Sequence, residues 1–256
     1  MRLRPCIDIH NGKVKQIVGS SLKDEKGSVK ENFVSEYDAA YYAGIYRDRE
    51  LSGGHVIVLN TSASEYYEAS KKAAFSALSA FPGGMQYGGG INNENAAEFL
   101  DAGASHVIVT SFVFKDGKLN RENLRLLQSE CGKDRIVLDL SCRKRDDGQY
   151  YVTTDRWQNF TDLPVTEESF KSLSSECGEF LVHAVDAEGK SGGVDRELIR
   201  ILSGVSDIPV TYAGGIKSLS DVDLIEKEGC GRVDYTVGTA LKLFGGSLEL
   251  DELIKR

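Results

Sequence analysis

The sequence predicts an α/β fold, because short apolar segments rich in β-branched residues alternate with segments of helical periodicity along the whole chain. Several short segments are continuously apolar, as at residues 107–109 and 136–138, and this is typical of strands buried on both faces of a parallel sheet. A chain of 256 residues suits one closed (βα)8 barrel, the TIM barrel, better than an open doubly wound sheet. We therefore expect a single barrel domain over residues 1–256.

Eight strands and eight helices are predicted in alternation. The strand candidates are residues 3–9, 55–59, 84–87, 106–110, 135–140, 179–185, 208–212 and 232–237. The helix candidates are residues 35–50, 65–80, 93–101, 121–130, 167–176, 195–202, 219–227 and 248–254. Four helices begin with a residue whose side chain can accept a hydrogen bond from free backbone N–H groups, which predicts N-caps at Asn93, Thr166, Asp195 and Ser218.

Three sequence features recur in the same order in the two halves of the chain. They are an aspartate between apolar residues, a glycine pair followed by isoleucine, and a small polar segment after a valine. The nearly constant offsets, 131, 125 and 128 residues, predict an internal repeat. We therefore expect two (βα)4 halves, at about residues 1–130 and 131–256.

Composition and charge argue against several classes of protein. The net charge of −8 disfavours binding to nucleic acid through a basic surface. Five widely spaced cysteines without a Cys-x-x-Cys pair support neither a disulfide framework nor a zinc site. No apolar run approaches the ~18 residues of a membrane-spanning helix, and the first residues lack the apolar segment of a signal peptide. With no heptad pattern or evident interface segment, we expect a cytoplasmic monomer.

Two aspartates define the expected reaction centre. Asp8 ends the first strand candidate, and Asp139 lies near the end of the fifth. The first and fifth strands of an eight-stranded barrel lie opposite each other, and catalytic groups lie at the carboxyl ends of the strands. Two carboxylates facing each other suit a general base and a general acid that act on opposite sides of a substrate. An isolated aspartate would more often be a cap or turn residue, but the apolar flanks and the repeat favour function.

Small residues after four strand candidates predict two phosphate-binding sites. The candidates are Gly88, Gly89, Gly90, Thr110 and Ser111 in the first half, and Gly214, Gly215, Gly238 and Thr239 in the second. Small side chains let backbone N–H groups approach an anion, and barrels often bind phosphate after their seventh and eighth strands. Two sites indicate a small-molecule substrate with a phosphate at each end, although simple tight turns are the alternative. No G-x-G-x-x-G or Walker A motif supports a nucleotide cofactor.

The stretch Pro-Cys-Ile-Asp-Ile-His-Asn-Gly-Lys-Val at residues 5–14 resembles the opening of the phosphoribosylformimino-5-aminoimidazole carboxamide ribotide isomerases of histidine biosynthesis. The glycine motifs, Asp139 and residues 237–241 match the other marks of this family in order, so the resemblance covers the whole chain. Residues 139–144 and 180–184 look most like the eukaryote-type branch. Each glycine motif alone is shared with other phosphate-binding barrels.

The resemblance implies an Amadori rearrangement, in which an aminoaldose becomes an aminoketose. By the same resemblance, Asp8 would be the general base that removes the C2′ proton, and Asp139 the general acid that protonates the ring oxygen. A Schiff base would lie between these steps. The substrate nitrogen would serve as the electron sink, so neither a metal nor an organic cofactor is expected.

Five further residues are candidates for substrate contact or support of the aspartates. The family often has a threonine late in the sixth strand that supports the acid; none stands there in this chain, and His183 or Asp186 is the predicted substitute. Trp157 lies where the family has an aromatic residue that stacks on the substrate imidazole. Arg143 could meet a phosphate or the carboxamide. By strand alternation, His10 lies on the same side as the aspartate of its strand and could orient it.

Two long connections follow strands at the barrel mouth, at residues 10–33 and 141–164. Loops of this length in a compact domain are usually functional or disordered. We expect both to close over the substrate as lids.

Three alternative functions are compatible with these residues. The cyclase subunit of imidazole glycerol phosphate synthase has the same repeat, aspartate pair and phosphate sites, although residues 5–12 and Trp157 fit the isomerase better. A non-catalytic phosphosugar-binding barrel would keep the glycine sites but has no use for two opposed carboxylates. An isomerase that also accepts phosphoribosylanthranilate would share the same motifs, since that specificity lies in loop contacts.

Overall fold

The computed structural model describes residues 1–17, 31–155, 157–187, 193–205 and 207–256. Its strands are β1 (Cys6–His10), β2 (Lys13–Ile17), β3 (Glu31–Val34), β4 (Gly54–Val58), β5 (Met85–Gly88), β6 (Val107–Val109), β7 (Phe114–Lys115), β8 (Lys118–Leu119), β9 (Ile136–Asp139), β10 (Cys142–Lys144), β11 (Tyr150–Thr154), β12 (Asn159–Pro164), β13 (Glu179–His183), β14 (Val210–Ala213) and β15 (Asp234–Thr236). Its α-helices are α1 (Ala39–Arg47), α2 (Tyr67–Ala80), α3 (Ala96–Asp101), α4 (Arg121–Cys131), α5 (Glu167–Leu173), α6 (Arg196–Ser203), α7 (Leu219–Glu228) and α8 (Leu250–Ile254). All eight predicted strands and all eight predicted helices are present. Within the described ranges, no helix combines the length and the apolar character needed to cross a membrane.

Eight strands form a parallel barrel in the order β1, β4, β5, β6, β9, β13, β14 and β15. A parallel bridge between Leu3 and Tyr235 closes the ring. There the backbone N–H of Arg4 donates to the Tyr235 carbonyl (2.8 Å), and the Tyr235 N–H donates to the Arg2 carbonyl (3.0 Å). The predicted (βα)8 barrel is therefore confirmed. Three strands separate β1 from β9 on either side, so these two strands lie opposite each other.

Side-chain caps determine where several of the outer helices begin. Thr166, Asp195 and Ser218 each accept a hydrogen bond from the backbone N–H three residues later, which confirms them as N-caps. Helix α1 begins later than predicted, because Asp38 caps it by accepting from the N–H of Tyr41 (2.9 Å).

The prediction of Asn93 as an N-cap is wrong, because α3 begins only at Ala96. The side chain of Asn92 accepts from the N–H groups of Glu94 (2.8 Å) and Asn95 (3.1 Å). This local turn competes with helix formation and occupies the residues that would have formed the first helical turn.

Both long connections at the mouth contain strands. Strands β10, β11 and β12 form an antiparallel sheet within the connection at residues 141–164, for which no strands are predicted from the sequence. The sequence carries a signal for it, because an Asp-Gly turn at residues 147–148 precedes the β-branched and aromatic residues of β11. Strands β2 and β3 likewise extend antiparallel from β1. Residues 18–30 of the other predicted lid lie outside the described residues.

The barrel interior carries an apolar layer below the mouth. Ile108, Val137 and Leu181 form a buried cluster of their own, separate from the larger core between the strands and the helices. Ile57 and Ala213 pack against this cluster from two other strands. The layer separates the site at the carboxyl ends of the strands from the opposite end of the barrel.

The amino-terminal end of the barrel is filled by a buried polar network. Arg4 donates to Asp234 (2.9 Å) and pairs with Glu179 (3.7 Å). Glu179 also accepts hydrogen bonds from Gln86 (2.9 Å) and Thr211 (3.3 Å). Burial raises the pKa of Glu179, while Arg4 and the two hydrogen bonds act in the opposite direction. One guanidinium therefore compensates two buried carboxyl groups.

Arg4→Met is expected to lower the free energy of unfolding by about 3–5 kcal/mol, because Glu179 would remain buried without the guanidinium of Arg4 and Asp234 would keep only the exposed Arg2. Arg2→Met is the matched control. Arg2 pairs with the same Asp234 (3.2 Å), but its side chain is 61% exposed, and its loss should cost less than about 1 kcal/mol. Denaturant unfolding measures the free energy of unfolding of both variants. Equal losses in the two variants would contradict the role of Arg4 in the buried network.

Buried His55 on β4 makes the fold sensitive to acid. Burial, with a smaller contribution from His183, lowers the pKa of His55 to about 4. The pKa in the unfolded chain is about 6.5, so the folded state binds this proton less well than the unfolded state. The contribution of His55 to the free energy of unfolding is therefore complete above pH ~6.5. It is lost as the pH falls towards 4, by about 3 kcal/mol in total.

His55→Gln should flatten the loss of thermal stability between pH 7 and pH 4, because glutamine does not titrate. The measurement is Tm as a function of pH. His106→Gln is the control. Partial burial, with smaller contributions from Arg135 and Arg4, also lowers the pKa of His106, but His106 is less buried than His55 and the effect of its replacement should be smaller. If Tm of His55→Gln falls with pH as steeply as Tm of the wild type, His55 is not the source of the acid sensitivity.

Candidate active site

Asp8 and Asp139 lie at the mouth of the barrel on opposite strands. Asp139 is the last residue of β9 and the one residue of that strand that is not fully buried. Asp8 and His10 are the two partly exposed residues of β1, and their spacing puts both side chains on the inner face of the barrel. The structure thus brings the two predicted carboxylates to the same end of the barrel, with His10 two residues after Asp8 on the same strand.

Three donors hold the Asp139 carboxylate. Thr110 Oγ1 donates to Oδ2 (3.1 Å), and the N–H and the hydroxyl of Ser141 donate to Oδ1 (2.9 and 2.5 Å). Each hydroxyl can also accept, so this set suits the carboxyl both with and without its proton. Ser141 is not predicted from the sequence. The signal in the sequence is its position two residues after Asp139, because an aspartate side chain often accepts a hydrogen bond from the backbone N–H two residues later.

Gln16 on β2 lies between Asp8 and the loop that follows β15. Its Nε2 donates to Asp8 Oδ2 (3.3 Å), and its Oε1 accepts from Thr239 Oγ1 (3.3 Å). Gly238 makes room for it, because a Cβ at that position would lie 2.5 Å from Gln16 Oε1. No sequence motif points to Gln16, since its place depends on β2 folding back along β1.

The predicted glycine sites of the two halves share one backbone conformation. Gly89 and Gly90 have φ of +125° and +70°, and Gly214 and Gly215 have φ of +112° and +75°. A Cβ on Gly89 or Gly214 would lie 2.5 or 2.9 Å from a carbonyl oxygen at the end of the neighbouring strand. These positions therefore require glycine both for φ and for space. The similar φ values of the two glycine pairs agree with the predicted half-barrel repeat.

The remaining predicted phosphate residues fall into two groups. Gly88 is buried at the end of β5, where a Cβ would lie 2.6 Å from an isoleucine side chain, so its role there is packing. Ser111 and Thr239 are exposed after β6 and β15, in positions open to a ligand. Thr110, between β6 and Ser111, instead faces the acid candidate.

Trp157 and His183 come together at the mouth. Their rings meet edge to face, with centroids 4.8 Å apart and planes at 89°. Trp157 lies on the turn between β11 and β12 with φ +67°, which is uncommon for a non-glycine residue. His183 ends β13, beside Gly214. The antiparallel sheet thus brings its tryptophan against the barrel.

Asp186 joins the segment after β13 to the antiparallel sheet. Arg143 Nε donates to Asp186 Oδ1 (3.2 Å), and the backbone N–H of Lys144 donates to Oδ2 (3.2 Å). The side chains of Thr110 and Ser141 donate to Asp139, and support of Asp139 by His183 or Asp186 stays a prediction.

The mouth therefore combines two opposed carboxylates, two glycine-bounded loops and an aromatic pair. Such a site can hold a small molecule that carries two anionic groups and can move protons at two positions. In the part of the chain that the structure describes, no three His, Cys, Asp or Glu side chains are grouped to hold a metal ion.

Residues 2–248 match the family model described as "Histidine biosynthesis protein". The chain belongs to this family. The family resemblance predicted from the sequence is thereby confirmed.

Members of the histidine biosynthesis family from a plant and two fungi are similar over nearly the whole chain. Identity is 48% over 258 residues with a Medicago truncatula protein (99% of this chain, 81% of the relative). It is 46% over 247 residues with a Neurospora crassa protein (96% and 93%) and 45% over 249 residues with a Saccharomyces cerevisiae protein (95% and 92%). All three are named 1-(5-phosphoribosyl)-5-((5-phosphoribosylamino)methylideneamino) imidazole-4-carboxamide isomerase, and the Medicago protein is described as chloroplastic. Within the family, these names favour the isomerase over the cyclase.

Ser141→Ala is expected to lower kcat about tenfold for the isomerisation after which these relatives are named. The variant loses the shortest hydrogen bond to Asp139, and one such bond to a charged group corresponds to about a factor of ten in rate. Thr110→Val should have a similar effect. Ser111→Ala is the control, because its exposed side chain should affect KM rather than kcat. Steady-state kinetics measures kcat and KM of the three variants. An unchanged kcat in both Ser141→Ala and Thr110→Val would contradict a role of these hydrogen bonds to Asp139 in the reaction.

Proposed function

We propose that this chain converts an aminoaldose into an aminoketose by an Amadori rearrangement, on the bis-phosphorylated substrate after which its relatives are named. Asp8 is the general base and Asp139 the general acid. The observation that carries the proposal is the position of these two carboxylates on opposite strands at the mouth of one barrel. Membership of the histidine biosynthesis family supports the reaction, and the geometry supports the roles of the residues.

The two phosphoribosyl groups in the relatives' name are assigned to the two glycine-bounded loops. One phosphate binds near Gly89, Gly90 and Ser111, and the other near Gly214, Gly215, Gly238 and Thr239. The substrate then spans the mouth between the aspartates. Capture by backbone N–H groups suits a protein with a net charge of −8, because it needs no basic surface.

The reaction begins when Asp139 gives its proton to the ring oxygen of the phosphoribosylamine arm. The bond from C1′ to that oxygen breaks, and the nitrogen lone pair forms the C1′=N bond of a Schiff base. Asp8 then takes the C2′ proton. The electron pair left on C2′ forms a C1′=C2′ double bond, and the C=N pair returns to nitrogen.

The resulting enol becomes the ketone when C1′ gains a proton and the C2′ hydroxyl loses one. Exchange with solvent then restores the ionised Asp8 and the protonated Asp139. Atoms and electrons balance within the substrate, so the reaction needs no external oxidant or reductant. Thr110 and Ser141 can serve Asp139 in both states, because a hydroxyl donates or accepts as required.

The other predicted site residues surround this centre. Trp157 and His183 are assigned to the imidazole part of the substrate, because their paired rings form an apolar wall at the mouth. Arg143 is assigned to the carboxamide or a phosphate, because its guanidinium, paired with Asp186, is partly exposed. His10 shares the inner face with Asp8 and would help to orient it.

We also propose that the whole chain acts as one barrel domain, as a monomer in the cytoplasm. Five widely spaced cysteines, all of them free thiols, support a reducing compartment. Size-exclusion chromatography and cell fractionation test both statements.

Asp8→Asn and Asp139→Asn are each expected to lower kcat by about 10²–10⁴, because each removes one proton transfer by a positioned group. Steady-state isomerisation and calorimetric binding of the bis-phosphorylated aminoaldose measure the effect, and substrate binding should be retained. Wild-type thermal unfolding in both variants controls for folding. A folded wild type without turnover would reject the isomerase. The next assay is then cyclisation of the isomerised product with ammonia.

A further inference from the structure

The side-chain amide of Gln16 has a defined orientation. A carboxylate only accepts hydrogen bonds, so the NH2 end of the amide faces Asp8, at 3.3 Å. The oxygen end then faces Thr239, whose hydroxyl can donate to it, also at 3.3 Å. Both contacts require the same orientation, so one planar group spans from the base to the loop after β15.

The surroundings of Gln16 hold it in this place. The residue is only 3% exposed, and it pairs with Phe33 within the antiparallel strands β2 and β3. Strand β2 is in turn paired with β1, which carries Asp8. Gly238 provides the space for the amide oxygen, since a Cβ there would lie 2.5 Å away. Gln16 therefore stands on a paired strand, immediately before a shift of register between Gln16 and Ile17, and the glycine after β15 leaves space for its amide.

We propose that Gln16 is a positioning residue that orients the carboxylate of Asp8 and couples this orientation to the phosphate-binding loop at Gly238 and Thr239. A phosphate bound at this loop holds Thr239 in one position. Gln16, which is hydrogen-bonded to both Thr239 and Asp8, then restricts the orientation of the Asp8 carboxylate. Binding energy from a remote phosphate would thus be used to align the group that removes the C2′ proton. The inference rests on the proposed function, because it requires Asp8 to be the base.

A second buried glutamine provides a matched control. Gln86 is also 3% exposed, and it also donates through Nε2 to a carboxylate, that of Glu179 (2.9 Å). It lies in the polar network at the amino-terminal end of the barrel, on the far side of the apolar layer from Asp8. Replacement of either glutamine by methionine removes the same chemical group from an equally buried place.

Gln16→Met is expected to lower kcat for isomerisation by about 10- to 100-fold with little change in KM, because the base loses alignment but the substrate retains its contacts. Gln86→Met should lower Tm but leave kcat and KM at the wild-type values. Gln16→Glu is the second variant: it keeps the shape and the acceptor for Thr239, but it places a carboxylate against Asp8. Its kcat should also fall at least about tenfold.

A double-mutant cycle with Thr239→Val tests the coupling. The kcat of the Gln16→Met, Thr239→Val double variant should be close to that of Gln16→Met alone, because both changes break the same connection. Additive losses would overturn the coupling. Wild-type kcat in Gln16→Met and Gln16→Glu, or an equal loss of kcat in Gln86→Met, would overturn the positioning role while the isomerase stands. Absence of turnover in the folded wild type would overturn the proposed function, and this inference with it.

Discussion

The backbone hydrogen bonds between residues 2–4 and Tyr235 close the barrel, and the arrangement of the site depends on that closure. In a closed ring of eight parallel strands, β1 and β9 lie opposite each other. Alternate residues of each strand point inward, so the last inward residues of these strands converge above the interior layer. Asp8 and Asp139 reach the same end of the barrel for this reason, although 130 residues separate them along the chain.

Carboxyl groups at the two ends of the barrel are stabilised in different ways. At the amino-terminal end, Glu179 and Asp234 are buried and share the guanidinium of Arg4. At the mouth, Asp139 accepts from two hydroxyls and an amide N–H, and Asp8 accepts from a carboxamide. A strong ion pair favours one protonation state. The neutral donors at Asp139 orient this carboxyl group and still allow it to exchange a proton, as its proposed role requires.

The two halves share a scaffold but differ around their aspartates. The glycines after β5 and β14 have matching conformations. Asp139, however, is held by Thr110 from the neighbouring strand and by Ser141 two residues further along the chain. Asp8 is contacted by Gln16 from a strand that folds back along β1. These different surroundings suit the proposed roles, in which Asp139 gives a proton and Asp8 takes one.

The sequence by itself determined the order of strands and helices, the opposed aspartates and the paired glycine sites, because buried strands, helical faces and φ > 0 positions impose local residue patterns. Only the tertiary structure decided which side chains support the aspartates. Gln16 reaches Asp8 because strands pair, and Thr110 turns to Asp139 rather than to a phosphate because β6 and β9 are neighbours. The start of α3 and the antiparallel sheet after β9 depend on competing local hydrogen bonds and on strand pairing. The contacts of Gln16 with Thr239 and of Thr110 with Asp139 join positions that are distant along the chain, and residue type and spacing alone do not specify them.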